Sequence, residues 1–259
     1  MLMETKIKIS NKFGKFFAIC FSIVALLLTI TMADLFSSLI TVGGFTFTNS
    51  NISLNKFTLY AVYTNTSTSS SSAQEQSNIC KSGGGAGYIY MDKTNFYVIA
   101  SIYESEEDAK KVLTNIKATH TNANVLELVV MPIELSSNLE NKERSTLEEA
   151  INIFKNTYKK LYDISVSLDT SVINDVNAKF SINELGSTIS KINSNFLTLF
   201  SGETSSDLLA IKASLSELAE CLNELINDYN TSYYSSKIKE TYCKTILIYK
   251  NLAENLQVK

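Results

Sequence analysis

The chain has no tryptophan, one proline, one histidine and nine glycines in 259 residues, and these scarcities narrow what it can do. With His120 the only imidazole, the usual general base and commonest metal ligand is almost absent. His120 sits in the polar stretch 119–122, with no cysteine or carboxylate patterned around it, and reads as a solvated loop residue. The four cysteines (Cys20, Cys80, Cys221 and Cys243) form no CxxC pair, so no zinc site is expected. Cys221 and Cys243 either meet between antiparallel helices or serve as small buried side chains. A net charge of −3 provides no basic field to displace counterions from phosphates, which argues against nucleic acid as a partner. Ser236-Lys-Ile-Lys239 matches Ser-x-x-Lys, but no Lys-Thr-Gly triplet accompanies it. Gly83-Gly-Gly-Ala-Gly87 lacks the Gly-Lys-Ser/Thr of a phosphate cradle and reads as a tight turn. No catalytic residue, metal or cofactor is expected.

What the chain does have begins with an uncharged apolar run over 16–33 that continues, past Asp34, to about residue 42. That is near the ~20 residues needed to cross a bilayer. Lys6, Lys8, Lys12 and Lys15 precede it against a single Glu4, which predicts a cytoplasmic N-terminus and an extracytoplasmic remainder. Thr31-Met32-Ala33 weakly fits a secretory cleavage site, while the apolar sequence beyond it favours an uncleaved, single-pass anchor in the cell membrane. The expected order is a basic tail (1–15), a transmembrane helix (16–42) and a polar linker (43–55).

Residues 57–131 then read as two unequal copies of a strand–helix–strand unit. Phe57-Thr-Leu-Tyr-Ala-Val-Tyr63 alternates like a half-buried strand, and a weak helix over 73–81 ends at the glycines. Tyr88-Ile-Tyr-Met91 is the next strand, followed by the strongest, over 96–102. Ser105 caps a helix with an acidic first turn (Glu106, Glu107, Asp108), and Val125-Leu-Glu-Leu-Val-Val130 closes the set. The order βαββαβ predicts a four-stranded antiparallel sheet with both helices on one face.

The stretch Phe96-Tyr-Val-Ile-Ala-Ser-Ile-Tyr-Glu-Ser-Glu-Glu-Asp-Ala109 resembles the SPOR (sporulation-related repeat) family, over about 56–131. The first copy departs from the family, with Tyr60 and Val62 where a polar residue and a glycine are usual. The resemblance implies an α+β, ribonucleoprotein-like domain that binds peptidoglycan glycan strands through its open sheet face. On this reading the chain is a non-catalytic, membrane-anchored protein of the bacterial envelope, linked to cell division or sporulation. Strand alternation puts Tyr60, Tyr88, Tyr90, Tyr97, Ile99 and Glu127 on the open face, where phenol rings suit the C–H faces and hydroxyls of sugars.

Beyond Pro132 the periodicity becomes helical. Leu147, Ile151, Phe154, Tyr158, Leu161 and Leu168 follow 4-3-4-3 spacing after a Ser145/Glu148 capping box. Ser181 and Glu184 repeat the box before Leu185, Ile189, Ile192, Phe196 and Leu199. A third stripe runs Leu208, Ile211, Leu215, Leu218, Leu222, Leu225, and a fourth Ile238, Tyr242, Thr245, Tyr249, Leu252, Leu256. Residues 140–259 are therefore expected to form an antiparallel helical bundle that follows the sheet domain. The alternative function follows from it: a structural or protein-interaction component that binds a partner, or itself, through the bundle.

Overall fold

A computed structural model describes residues 51–257, apart from 137, 138, 203 and 229–232. Six strands and six helices follow one another among the described residues. They are β1 (Asn51–Leu54), β2 (Phe57–Ser67), α1 (Ser70–Ser82), β3 (Tyr88–Asp92), β4 (Asn95–Tyr103), α2 (Glu106–Ile116), β5 (Asn124–Val130), β6 (Ile133–Ser136), α3 (Asn141–Asp169), α4 (Asp175–Leu199), α5 (Ser206–Asn227) and α6 (Tyr234–Asn255). Two antiparallel sheets result: β3-β4-β2-β5, and a separate β1–β6 pair.

The expected fold class needs correction. Among the described residues no helix is long and apolar enough to cross a membrane. The predicted span (16–42), its basic tail and Cys20 lie outside the described residues. The membrane-anchored architecture, the membrane as a partner and the single-pass placement are set aside on that finding. There are also two sheets rather than one. Part of the supposed linker is strand β1, and it pairs with β6 because Ile52, Leu54, Ile133 and Leu135 are apolar enough to be buried together. Finally, the sheets and the helical bundle pack on one another: the described residues all fall within one compact unit.

The reason is α6. Its buried side chains include Ile238, Tyr242, Cys243, Ile246, Leu247, Ile248, Tyr249, Leu252 and Ala253, which surround the helix rather than stripe it. Such a helix needs cover from more than one layer. It packs on α3 and α5 within the four-helix ring and on β3, β4 and β5 of the larger sheet. Tyr249 stacks on Phe154 of α3 at 5.7 Å between ring centres and lies 6.0 Å from Phe57 of β2. Tyr242 is buried; its hydroxyl accepts from the Ile102 N–H at 2.7 Å and shares a 2.5 Å hydrogen bond with Ser101 Oγ. α1 and α2 cover the opposite face of the sheet, over Val98 and Ala100.

Local signals explain the element boundaries. α3 starts at Asn141, where the Glu143 carboxylate accepts from the Glu140 N–H at 2.9 Å, so Ser145 lies inside the helix and bonds to Lys142 O instead. Asn174 caps α4 by accepting from the Asn177 N–H, seven residues before the Ser181 box. Both upstream caps add a turn or more to an already apolar stripe, and longer helices bury more of it. At the glycine turn Gly87 has φ +59°, and a Cβ there would meet Ser77 O at 2.6 Å. The turn therefore closes α1 against β3.

The Tyr242 hydroxyl gives a direct test of the sheet–bundle union. Tyr242→Phe leaves the buried Ile102 N–H without a partner, and urea unfolding should show a loss of about 1–3 kcal/mol. A change under about 0.5 kcal/mol would mean that the two layers do not depend on this bond.

Candidate functional site

The sheet face expected to be open is the one the bundle covers. Tyr88, Tyr90, Tyr97 and Ile99 do come together there, packed against the large core. Tyr97 meets Tyr63 edge-on at 5.2 Å and Tyr90 at 6.3 Å. Tyr88 faces Cys243 and Cys221, and burial pushes its phenol up to about 12. Tyr90 lies near Lys250 and Glu254 of α6, and burial raises its phenol too. These rings are wall and core, not a free platform.

Tyr60 and Glu127 lie on the other face. They pair directly with each other across β2 and β5, while their neighbours Leu59, Ala61 and Leu128 join the bundle-side core. Tyr60 is within electrostatic reach of Lys110 on α2. The parity differs from strict alternation because the β2–β4 register shifts twice, between Val62 and Tyr63 and between Tyr63 and Asn65. Ala61 opposes Ile102 and Tyr63 opposes Ile99, leaving Ala100 unpaired between them. Each irregularity reverses the sense of alternation along its strand, so Tyr60 and Tyr97 end on opposite sides.

The remaining chemical candidates serve the fold. Ser236 Oγ donates to Lys81 O at 2.9 Å, and Lys239 Nζ donates to Gly84 O at 2.7 Å and to Asp169 at 2.5 Å. The Ser-x-x-Lys motif thus ties α6 to the end of α1 and to α3. His120 lies in the turn after α2, its N–H on Ile116 O. Cys80, Cys221 and Cys243 are buried free thiols, so Cys221 and Cys243 are unpaired, and burial pushes Cys221 up to about 12. Among the described residues no group of three His, Cys, Asp or Glu side chains is placed to hold a metal ion.

Two accessible features stand out among the described residues. A cavity of about 530 Å³ opens where the end of β4 and the start of α2 meet α3 and α6. Tyr103, Tyr158, Tyr162 and Tyr242 contribute rings to it, and Glu104, Ser105, Asp108, Lys159 and Asp163 its polar lining. Ser105 caps α2 by accepting from the Asp108 N–H at 3.3 Å, which fixes that edge. Glu104 accepts from Tyr158 OH at 3.0 Å and pairs with Lys159 at 3.0 Å. Sequence reasoning used Tyr158 only as a stripe residue and missed Tyr162. The available signal was two tyrosines one turn apart on α3, with Asp163 beside them.

The second feature is at the end of the bundle formed by the α3–α4 connection. Val172, Val176 and Phe180 follow four-residue spacing and are 75%, 72% and 65% exposed. Tyr233, 52% exposed, precedes α6 at the same end, where Lys179 of α4 lies over the neighbouring Tyr234 ring at 5.3 Å.

Compared with family models, curated proteins and solved structures, the chain matches none, so nothing identifies its sheet as a member of the SPOR family.

The buried acids carry a pH prediction. Tyr88 and Cys221 ordinarily titrate near 10 and 9, and both are raised to about 12 by burial. Above pH 9 the unfolded chain releases these protons while the folded chain keeps them. Stability is therefore whole below pH 9 and is lost progressively toward pH 12. The urea midpoint should fall between pH 8 and pH 10.5 in the wild-type chain, and fall less in Cys221→Ala. An equal fall in both would remove Cys221 from this account.

Proposed function

We propose that the chain is a non-catalytic interaction component that engages a protein partner through the end of its helical bundle. Val172, Val176 and Phe180 carry this reading. Large apolar side chains scattered singly over a surface are ordinary, but here three highly exposed ones recur at four-residue spacing along the start of α4 and its lead-in. The first two turns of α4 then present i, i+4 anchors of the kind an apolar groove accepts.

The rest of the fold supports the same role. α6 fixes the sheet to the bundle, and Asp169, Ser235 and Lys239 clamp α3 to α6 near the exposed end. Glycan recognition through the sheet, the expectation from the SPOR resemblance, loses its surface: Tyr88, Tyr90, Tyr97 and Ile99 lie under the bundle. Tyr60 and Glu127 lie on the other face, which leaves no shared platform for saccharide.

A photo-crosslinking amino acid at position 180 of the full chain, activated in the expressing cells, tests this. The expected result is one discrete protein adduct, to a second copy or another chain, that disappears in Val176→Asp. Phe180 is exposed, so its replacement should change stability by no more than about 0.5 kcal/mol. Absence of an adduct, or one indifferent to Val176→Asp, would overturn the proposal.

A further inference from the structure

We infer that the cavity between β4, α2, α3 and α6 is a binding site for a small organic cation bearing an alkylammonium or quaternary ammonium group. The ring geometry comes first. Tyr103 and Tyr162 stand nearly perpendicular, at 81°, with centres 6.3 Å apart. Tyr162 and Tyr242 stand at 88° with centres 5.9 Å apart. Tyr162 thus packs edge-to-face with both neighbours, which fixes the rings at the cavity wall. An ammonium group that reaches a free ring face there is attracted by its negative quadrupole.

The charge pattern points to the same ligand. Glu104, Asp108 and Asp163 line the cavity against one cation, Lys159. Lys159 is committed to Glu104, which also accepts from Tyr158. Asp108 meets the exposed Lys111, at 3.4 Å on the outside of α2, and Asp163 feels the charges of Lys160 and Lys159. Both carboxylates act on the Tyr162 phenol, and Asp108 acts on Tyr103 as well. An anion would meet these two carboxylates and the acidic first turn of α2. A neutral sugar would find rings, but would leave a lining of three carboxylates against the single cation Lys159. The site lies away from the exposed end of the bundle and does not depend on the protein-partner reading.

Absence of tryptophan makes the test direct, because tyrosine emission reports on these rings without an indole background. The full chain is titrated with choline and with its uncharged isostere 3,3-dimethyl-1-butanol, by calorimetry and tyrosine fluorescence. Choline should bind about tenfold more tightly than the alcohol, and Asp163→Asn or Tyr162→Leu should each weaken it about tenfold. Tyr162→Phe, which keeps the ring, should bind like the wild type. Lys159→Gln should strengthen binding, because it removes the one cation of the cavity lining. A variant that merely unsettles the fold would weaken it. Equal binding of choline and the alcohol, binding of neither, or no effect of Asp163→Asn in a chain whose thermal unfolding is unchanged would overturn the assignment.

Discussion

A helix buried around most of its circumference governs this molecule. α6 has no wet face broad enough to leave either the sheet or the other helices out, so both must pack on it. Its polar atoms are accommodated accordingly. Thr241 and Thr245 hydroxyls return to carbonyls four residues back, Ser236 reaches Lys81 O, and the Tyr242 hydroxyl meets the Ile102 N–H. Leaving such a buried hydroxyl unpaired would cost about 1–3 kcal/mol, against the roughly 0.5–1.5 kcal/mol that each bond contributes. These satisfied hydroxyls let one helix belong to two layers.

That constraint decides which surfaces can act. Four-stranded sheets with helices on one face often leave the other to a ligand, but here the second face carries Phe57, Leu59, Ile99, Leu128 and Val130 against α3 and α6. Apolar burial of this kind is worth roughly 1.5–3 kcal/mol per large side chain. Exposing the face to a saccharide would forfeit that for many residues at once. Tyrosines that look like a platform by strand alternation are therefore better used as part-buried wall. Their raised phenols reflect the same burial.

Much of the helical organisation was legible because its stripes repeat at 3.6 residues: Ile151, Phe154, Tyr158 and Leu161 of α3, and Ile211, Leu215, Leu218 and Leu222 of α5, are all buried. The two-sided character of α6 was also written in the sequence, since Cys243, Ile246, Leu247 and Ile248 fall between its stripe positions. Reading only the stripe hid the demand for a second layer. The paired irregularities near Tyr63 and Ala100 left no local mark, because no glycine or proline stands at either and the strand propensities on both sides are high. Parity of the sheet faces was lost there. The cavity was illegible for a further reason: its rings come from β4, α3 and α6, far apart in sequence and joined only by packing.

The cavity and the exposed end of the bundle share α3, which raises the question of whether one could influence the other. Tyr162 and Asp163 face the cavity, and the helix ends at Asp169, about two turns later. Coupling between sites needs an element with two arrangements whose balance each site shifts. Here the end of α3 is clamped. Asp169 binds both Ser235 and Lys239 of α6, and Lys239 also holds Gly84 at the turn after α1. A helix terminus tied at once to the neighbouring helix and to the sheet side has little freedom to rotate or slide. Occupancy of the cavity and engagement of the bundle end should therefore be energetically independent, because the contacts that make the fold one body also fix the helix between them.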